Sequence, residues 1–181
     1  MDKKELRKKY LEIRKNISIE DRKHKSELIV KELTELINKD NYDAILLYAP
    51  LEYEPDVMGV YDLCRMDNTV CFPRVNGNAM DFFIVEGLSE LEKGNFGVRE
   101  PKKECRALEY KDGARYLVVV PGTVFDKNGY RIGYGKGYYD SFFAGHEGID
   151  FFKAGICFDE CMIEDFGHEA HDISVDKVIH A

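Results

Sequence analysis

The sequence predicts a single α/β domain: a layered, mostly parallel sheet with helices on both faces. Three observations carry this prediction. Two amphipathic helical patterns open the chain, short continuous apolar runs alternate with helical stretches after them, and a glycine-rich loop follows the most apolar run. Strands covered on both faces lose the in-out alternation of an exposed sheet and read as unbroken apolar runs. Strands alternating with helices indicate a layered α/β architecture. One domain over residues 1–181 is the default at this length.

The first helix spans residues 3–17, where Leu6, Tyr10, Ile13 and Ile17 recur at spacings of four, three and four. Ser18 is an N-cap with Asp21 three residues on, a partial capping box. It opens a second helix running to about Ile37, with Leu28, Leu33, Leu36 and Ile37 on the buried side and Asn38 and Asp40 ending it. The apolar runs Ala44–Tyr48, Val70–Phe72, Phe82–Val85, Tyr116–Val120 and Ala154–Phe158 are the strands. Helical stretches intervene near 56–66 and 137–145. Residues 86–115 are polar, hold Gly87, Gly94, Gly97 and Pro101, and read as loops around a short strand.

Composition narrows the function. The formal net charge of −8 disfavours general nucleic-acid binding, which needs a basic footprint. No apolar run is long enough to span a bilayer. The start, MDKKELRKKY, lacks the apolar segment of a secretory signal, and five scattered cysteines fit reduced thiols, so a cytoplasmic location is expected. Cys157, Cys161, His168 and His171 match no standard zinc spacing.

The basic residues are uneven: ten of the 26 Lys and Arg lie in the first 25 residues. At ~100° per residue, Lys3, Arg7 and Arg14 fall in a band roughly 60–100° round from Leu6, flanking the buried face. Lys4, Lys8 and Lys15 fall on the opposite side. The geometry alone leaves open whether this is a solvated basic helix or one edge of a pocket.

Residues 121–140 are the most informative segment. Gly133, Gly135 and Gly137 alternate beyond the strand Tyr116–Val120, where ligands bind in open α/β sheets. Alternating glycines let backbone N–H groups approach an anion, and Arg131 and Lys136 add cations beside them. A helix starting near Gly137 would add its positive dipole end. The pattern is neither the dinucleotide fingerprint nor the Walker loop. A flexible glycine turn is the plain alternative, and the added Arg131, Lys136 and Asp140 favour a polyphosphate cradle.

GYRIGYGKGYYD (129–140) resembles the signature segment of the 5-formyltetrahydrofolate cyclo-ligases, and the preceding PGTVFDKNG (121–129) resembles its lead-in. The resemblance spans nearly the whole chain. It includes Lys3 through Arg7 with Arg14, Glu54-Pro55-Asp56, Phe72-Pro73-Arg74, Gly97 through Pro101, and Asp172 through Asp176 as a closing Asp-containing strand. The resemblance implies a single-domain fold with a Rossmann-like layered sheet, and the family converts 5-formyltetrahydrofolate to 5,10-methenyltetrahydrofolate with ATP and Mg²⁺. The resemblance implies ATP contacts at Lys3, Lys4, Arg7, Arg14, Arg131, Gly133, Tyr134, Gly135, Lys136, Gly137, Tyr138 and Tyr139. It implies substrate contacts at Ala49, Glu54, Tyr134, Lys136 and Tyr138, catalytic roles for Lys136 and Arg131, and Mg²⁺ near Asp140 and Asp172. Glu52 is a neighbour of Glu54 and Asp176 of Asp172, and Asp140 could instead pair with Arg131. Where the family often has a hydroxyl-bearing Thr, this chain has Val57. The expected partners are a reduced folate and ATP, with no nucleic acid or membrane, acting on a monomer. A paralogue with the same ATP site and another substrate, or a non-catalytic nucleotide-binding module, are the alternatives.

Overall fold

The computed structural model describes residues 1–94 and 97–181. Two helices come first: α1 (Lys3–Asn16) and α2 (Ile19–Lys39). Asp2 caps α1 by accepting from the Glu5 N–H, while the Glu5 side chain accepts from the Asp2 N–H, a full capping box. Ser18 caps α2 through the Asp21 N–H at 3.0 Å. The buried stripe of α2 is Ser26, Ile29, Leu33 and Ile37. This corrects the sequence expectation for Leu28, which is 46% exposed. Ile29, Leu33 and Ile37 repeat every fourth residue, and Leu28 lies ~100° off that row.

The strands of the main sheet are β1 (Ala44–Leu46), β2 (Thr69–Asn76) and β3 (Ala79–Ile84), with α3 (Met58–Cys64) crossing between the first two. Segment 86–115, expected to hold one short strand, forms an antiparallel pair, β4 (Leu91–Lys93) and β5 (Arg99–Pro101); residues 95 and 96 lie outside the described residues. There follow β6 (Arg115–Pro121), β7 (Val124–Asp126), β8 (Arg131–Ile132) and α4 (Tyr138–Gly145). The chain closes with β9 (Asp150–Cys157), β10 (Met162–Ile163) and β11 (Lys177–His180). The segment Asp172–Asp176, expected as the closing strand, is instead the turn before β11.

The six-stranded sheet has the order β11-β9-β6-β1-β2-β3. Every pairing is parallel except the β2–β3 hairpin at the edge. Leu117, Val118, Val119 and Val120 of β6 are fully buried because helices cover both faces. Leu33 and Ile37 of α2 and Val60 of α3 pack with Ile45, Leu117 and Val119 on one face. Leu6 and Tyr10 of α1 and Phe142 of α4 pack with Leu46, Val118 and Val120 on the other. From β1 the chain moves outward to β2, then returns to β6 on the other side of β1. The carboxyl ends of β1 and β6 therefore flank the point where strand order reverses, where a crevice opens in such sheets.

The sequence reads the glycine loop as following the central strand directly. In the structure β6 first continues into a small sheet of order β10-β7-β8, and the loop leaves from β8. The Asp126 side chain closes the intervening turn by accepting from the Asn128 and Tyr130 N–H groups, both at 2.9 Å. Among the described residues, no helix is long and apolar enough to cross a membrane.

Candidate functional site

A cleft of about 720 Å³ opens at the reversal point. Among the described residues its lining comes from parts of the chain far apart in sequence: the start of α1, the segment after β1, the β2–β3 hairpin with β5, the end of β6, β8 with the loop 133–137 and the first turn of α4, and the turn before β11.

One end is built for an anion. Gly135 and Gly137 adopt left-handed φ of 88° and 66°, the backbone type from which anion-binding nests of N–H groups are built. Gly137 is the N-cap of α4 and offers no side chain, so the first-turn N–H groups carry no side-chain cap. Lys3 and Arg7 of α1 line the same cleft. Arg7 Nε donates to the Gly133 carbonyl at 2.6 Å, which fixes the basic stripe beside the glycines. Lys136 also lines the cleft. Arg131 is almost wholly buried: it donates to the Ile173 carbonyl at 2.6 Å and to Asp140 Oδ1 at 2.9 Å. The pairing of Asp140 with Arg131, open from the sequence, is therefore present. It anchors the loop to the turn before β11, because Asp140 Oδ1 also accepts from the Ile173 N–H.

That turn adds residues the sequence reading missed, Glu169 and His171, beside Asp172. Lys3 bonds Asp172 Oδ2 and lies 3.3 Å from Glu169 Oε1. Burial alone would raise the Asp172 pKa, but the Glu169 N–H and Lys3 outweigh it and hold the carboxyl below its ordinary range. Asp176, the alternative to Asp172, instead accepts from the Lys153 N–H and pairs with the Lys153 ammonium away from the cleft.

The other end is apolar, lined by Pro73, Val75, Met80 and Val98. Glu54 also lines the cleft at 7% exposure, and its Oε2 accepts from the Leu51 N–H at 2.9 Å. Its neighbour Glu52 is exposed and lines nothing, which separates the two. Ala49, Tyr134, Tyr138 and Tyr139 also border this region. Tyr134 is 47% exposed, yet partial burial and the charge of Glu54 raise its phenol to about 12. The Tyr139 hydroxyl is buried with no partner among the described residues.

Two expected contacts do not reach the cleft. Lys4 is exposed on the far side of α1. Arg14 is 1% exposed and turned into the protein, where its Nε donates to the Tyr53 carbonyl at 2.8 Å and its Nη1 to the Gly122 carbonyl at 3.3 Å. Its Nη2 lies 3.8 Å from Glu54 Oε1, so it supports Glu54 from behind. Val57 is also fully buried, packing in the core instead of facing the cleft. Glu100 is a further missed residue. It lines the apolar end at 7% exposure, inside the Gly97–Pro101 motif to which the sequence assigns no role.

Asp140 and Asp172 suit a divalent cation that arrives with a polyphosphate. Each engages one oxygen, while among the described residues Asp140 Oδ2 and Asp172 Oδ1 accept no hydrogen bond. No group of three or more His, Cys, Asp or Glu among the described residues forms a cage for a metal by itself. Mg²⁺ commonly takes one or two carboxylates and fills its shell with water and phosphate.

Comparison with known proteins bears on this arrangement. The 5-formyltetrahydrofolate cyclo-ligase family matches residues 1–181. The chain is 25% identical over 174 residues to the 5-formyltetrahydrofolate cyclo-ligase of Mus musculus, covering 91% of this chain and 86% of that one. It is 35% identical over 92 residues to the Saccharomyces cerevisiae 5-formyltetrahydrofolate cyclo-ligase, covering 48% of this chain and 42% of that protein. The NMR structure of Aquifex aeolicus 5,10-methenyltetrahydrofolate synthetase superposes with a TM-score of 0.84 at 32% identity, over 99% of this chain and 90% of that one. The Mycoplasma pneumoniae 5,10-methenyltetrahydrofolate synthetase shares the fold, with a TM-score of 0.77 at 22% identity over 99% of this chain and 98% of that one.

Proposed function

The chain belongs to the 5-formyltetrahydrofolate cyclo-ligase family, and from that premise we propose that its cleft closes 5-formyltetrahydrofolate to 5,10-methenyltetrahydrofolate at the expense of ATP. The observation that carries the reading is the meeting, in one cleft, of the glycine loop and α1 cations with an apolar end bordered by a buried carboxylate. A polyphosphate and a reduced pterin need these two environments side by side.

ATP's polyphosphate lies along Lys3, Arg7, Lys136 and the amides of residues 133–138. Asp140 and Asp172 would hold an accompanying Mg²⁺, which would neutralise phosphate charge. The pterin occupies the apolar end, with Glu54 accepting from its N–H groups. The formyl oxygen on N5 bonds to the γ-phosphorus as the bond to ADP breaks. N10 then adds to the formyl carbon and loses its proton. The carbon–oxygen bond breaks, phosphate leaves, and the N5 electron pair forms the double bond of the methenyl cation. Phosphorylation turns a poor oxygen leaving group into a good one. The protein contributes alignment of the two substrates and neutralisation of charge. Lys136 follows the transferring group, and Arg131 positions Asp140 and the loop. Its partners are then the two small molecules, and the setting is the cytoplasm.

Mixing the protein with 5-formyltetrahydrofolate and Mg·ATP tests the reading, with the ultraviolet band of the methenyl product as the signal. ATP hydrolysis without that band would reject the folate substrate, and neither signal would reject the enzyme.

A further inference from the structure

Five carboxylates line the cleft, and four are compensated. Arg131 holds Asp140, Lys3 holds Asp172 and Glu169, and Arg14 stands behind Glu54. Glu100 is different. It is 7% exposed, yet among the described residues no hydrogen bond or ion pair reaches its carboxylate. Its oxygens are not fully enclosed and lie on the cleft wall, so a carboxylate there with no protein donor among the described residues is open to donors from a ligand.

Its support is deliberate in geometry. β5 lies against β2, where Arg74 donates to the Lys102 carbonyl at 2.7 Å and to the Pro101 carbonyl at 3.4 Å. These bonds fix the chain immediately after Glu100. The carboxylate itself rests on Gly94: a Cβ at that position would come within 2.3 Å of Glu100 Oε2. Around it the cleft is apolar, formed by Pro73, Val75 and Val98.

We infer that Glu100 binds the substrate by accepting, with its two oxygens, from the adjacent 2-amino and N3–H groups of the pterin, an assignment that rests on the folate reading above. The donor pattern selects this ring. The pterin edge presents two donors side by side, which match the two oxygens of one carboxylate. Adenine sets its single exocyclic amine beside a ring acceptor, which would face a carboxylate oxygen without a proton between them. Glu54 is partly used by Arg14 and the Leu51 N–H and is left for the remaining pterin donors.

Calorimetric titration with 5-formyltetrahydrofolate, and with its 2-desamino-2-methyl analogue, tests the assignment on the wild type, Glu100→Gln and Gly94→Ala. Glu100→Gln should weaken the natural substrate by about tenfold or more, the scale of a hydrogen bond to a charged group. It should also erase most of the wild-type preference over the analogue, leave the thermal midpoint unchanged, and keep the KM for ATP within about twofold. Gly94→Ala, which displaces the carboxylate without removing it, should weaken the same ligand. An unchanged preference in Glu100→Gln overturns the assignment, as does a rise in the ATP KM with folate binding intact. A wild-type protein that binds no reduced folate overturns the folate reading and this assignment together. Wild-type binding with unaltered variants overturns this assignment alone.

Discussion

Arg14 shares a helical band with Lys3 and Arg7, yet it ends in the core while they end in the cleft. Its guanidinium meets two carbonyls and one carboxylate in three directions, a job for a planar fork. Removing one partner of a buried charge pair leaves the other uncompensated. Arg14→Ala should therefore cost about 3 kcal/mol in a urea titration, and Arg14→Lys should recover little of it. Lys136 stands in the opposite regime, on an exposed loop. Lys136→Ala should lower turnover by at least about tenfold while shifting stability by about 0.5 kcal/mol or less. Unchanged turnover would remove Lys136 from the transferring group. At this scale the sequence shows residue types well and their surroundings poorly. Glu52 and Glu54 are chemically equal neighbours, and only burial separates them.

The glycine loop works as an element because two of its glycines adopt a backbone that other residues resist. At Gly135 the φ is 88°, and a Cβ would stand 3.2 Å from an Arg7 guanidinium nitrogen. Gly135→Ala should cost about 1–2 kcal/mol and raise the KM for ATP, because strain and displacement of Arg7 act together. Gly133 has open space around its Cβ position and no left-handed φ, so Gly133→Ala is the milder control. Denaturant midpoints and ATP saturation curves of the two variants compare them directly. Elements with strong local signals were legible from the sequence: α1, α2, the loop and the apolar strands. The Asp2–Glu5 capping box and the Gly77-Asn78 hairpin turn are local features that the sequence reading did not single out. The two-residue strands β8 and β10 were not readable, since such short pieces carry no period and owe their form to pairing with β7.

Across the whole molecule, Lys3 and Asp172 clasp the first helix to the turn before the last strand. The Asp172 carboxyl is held below its ordinary 3.8, so its stabilisation is complete above that value and is lost as pH falls through the lower folded value. For Lys3, burial opposes the charge, but Asp172 and Glu169 outweigh it and raise the ammonium above its ordinary 10.5. That contribution is complete below 10.5 and is lost as pH rises through the higher folded value. Asp172→Asn should therefore destabilise the protein by about 1 kcal/mol or less over the neutral range, with the difference from wild type vanishing in strong acid. Urea midpoints measured across pH would show this, and a difference that persists at the acid extreme would contradict the clasp. The amino-acid sequence determined the order and type of the main elements, the glycine-and-cation make-up of residues 131–140 and the basic band on α1, because these rest on local periodicity and backbone preference. Tertiary structure alone decided that Arg14 faces inward, that Asp172 and not Asp176 meets Lys3, and that Glu100 lines the cleft with no partner among the described residues. The reason is geometric: a helix angle or a motif gives a side chain's direction, while what waits there depends on segments many residues away.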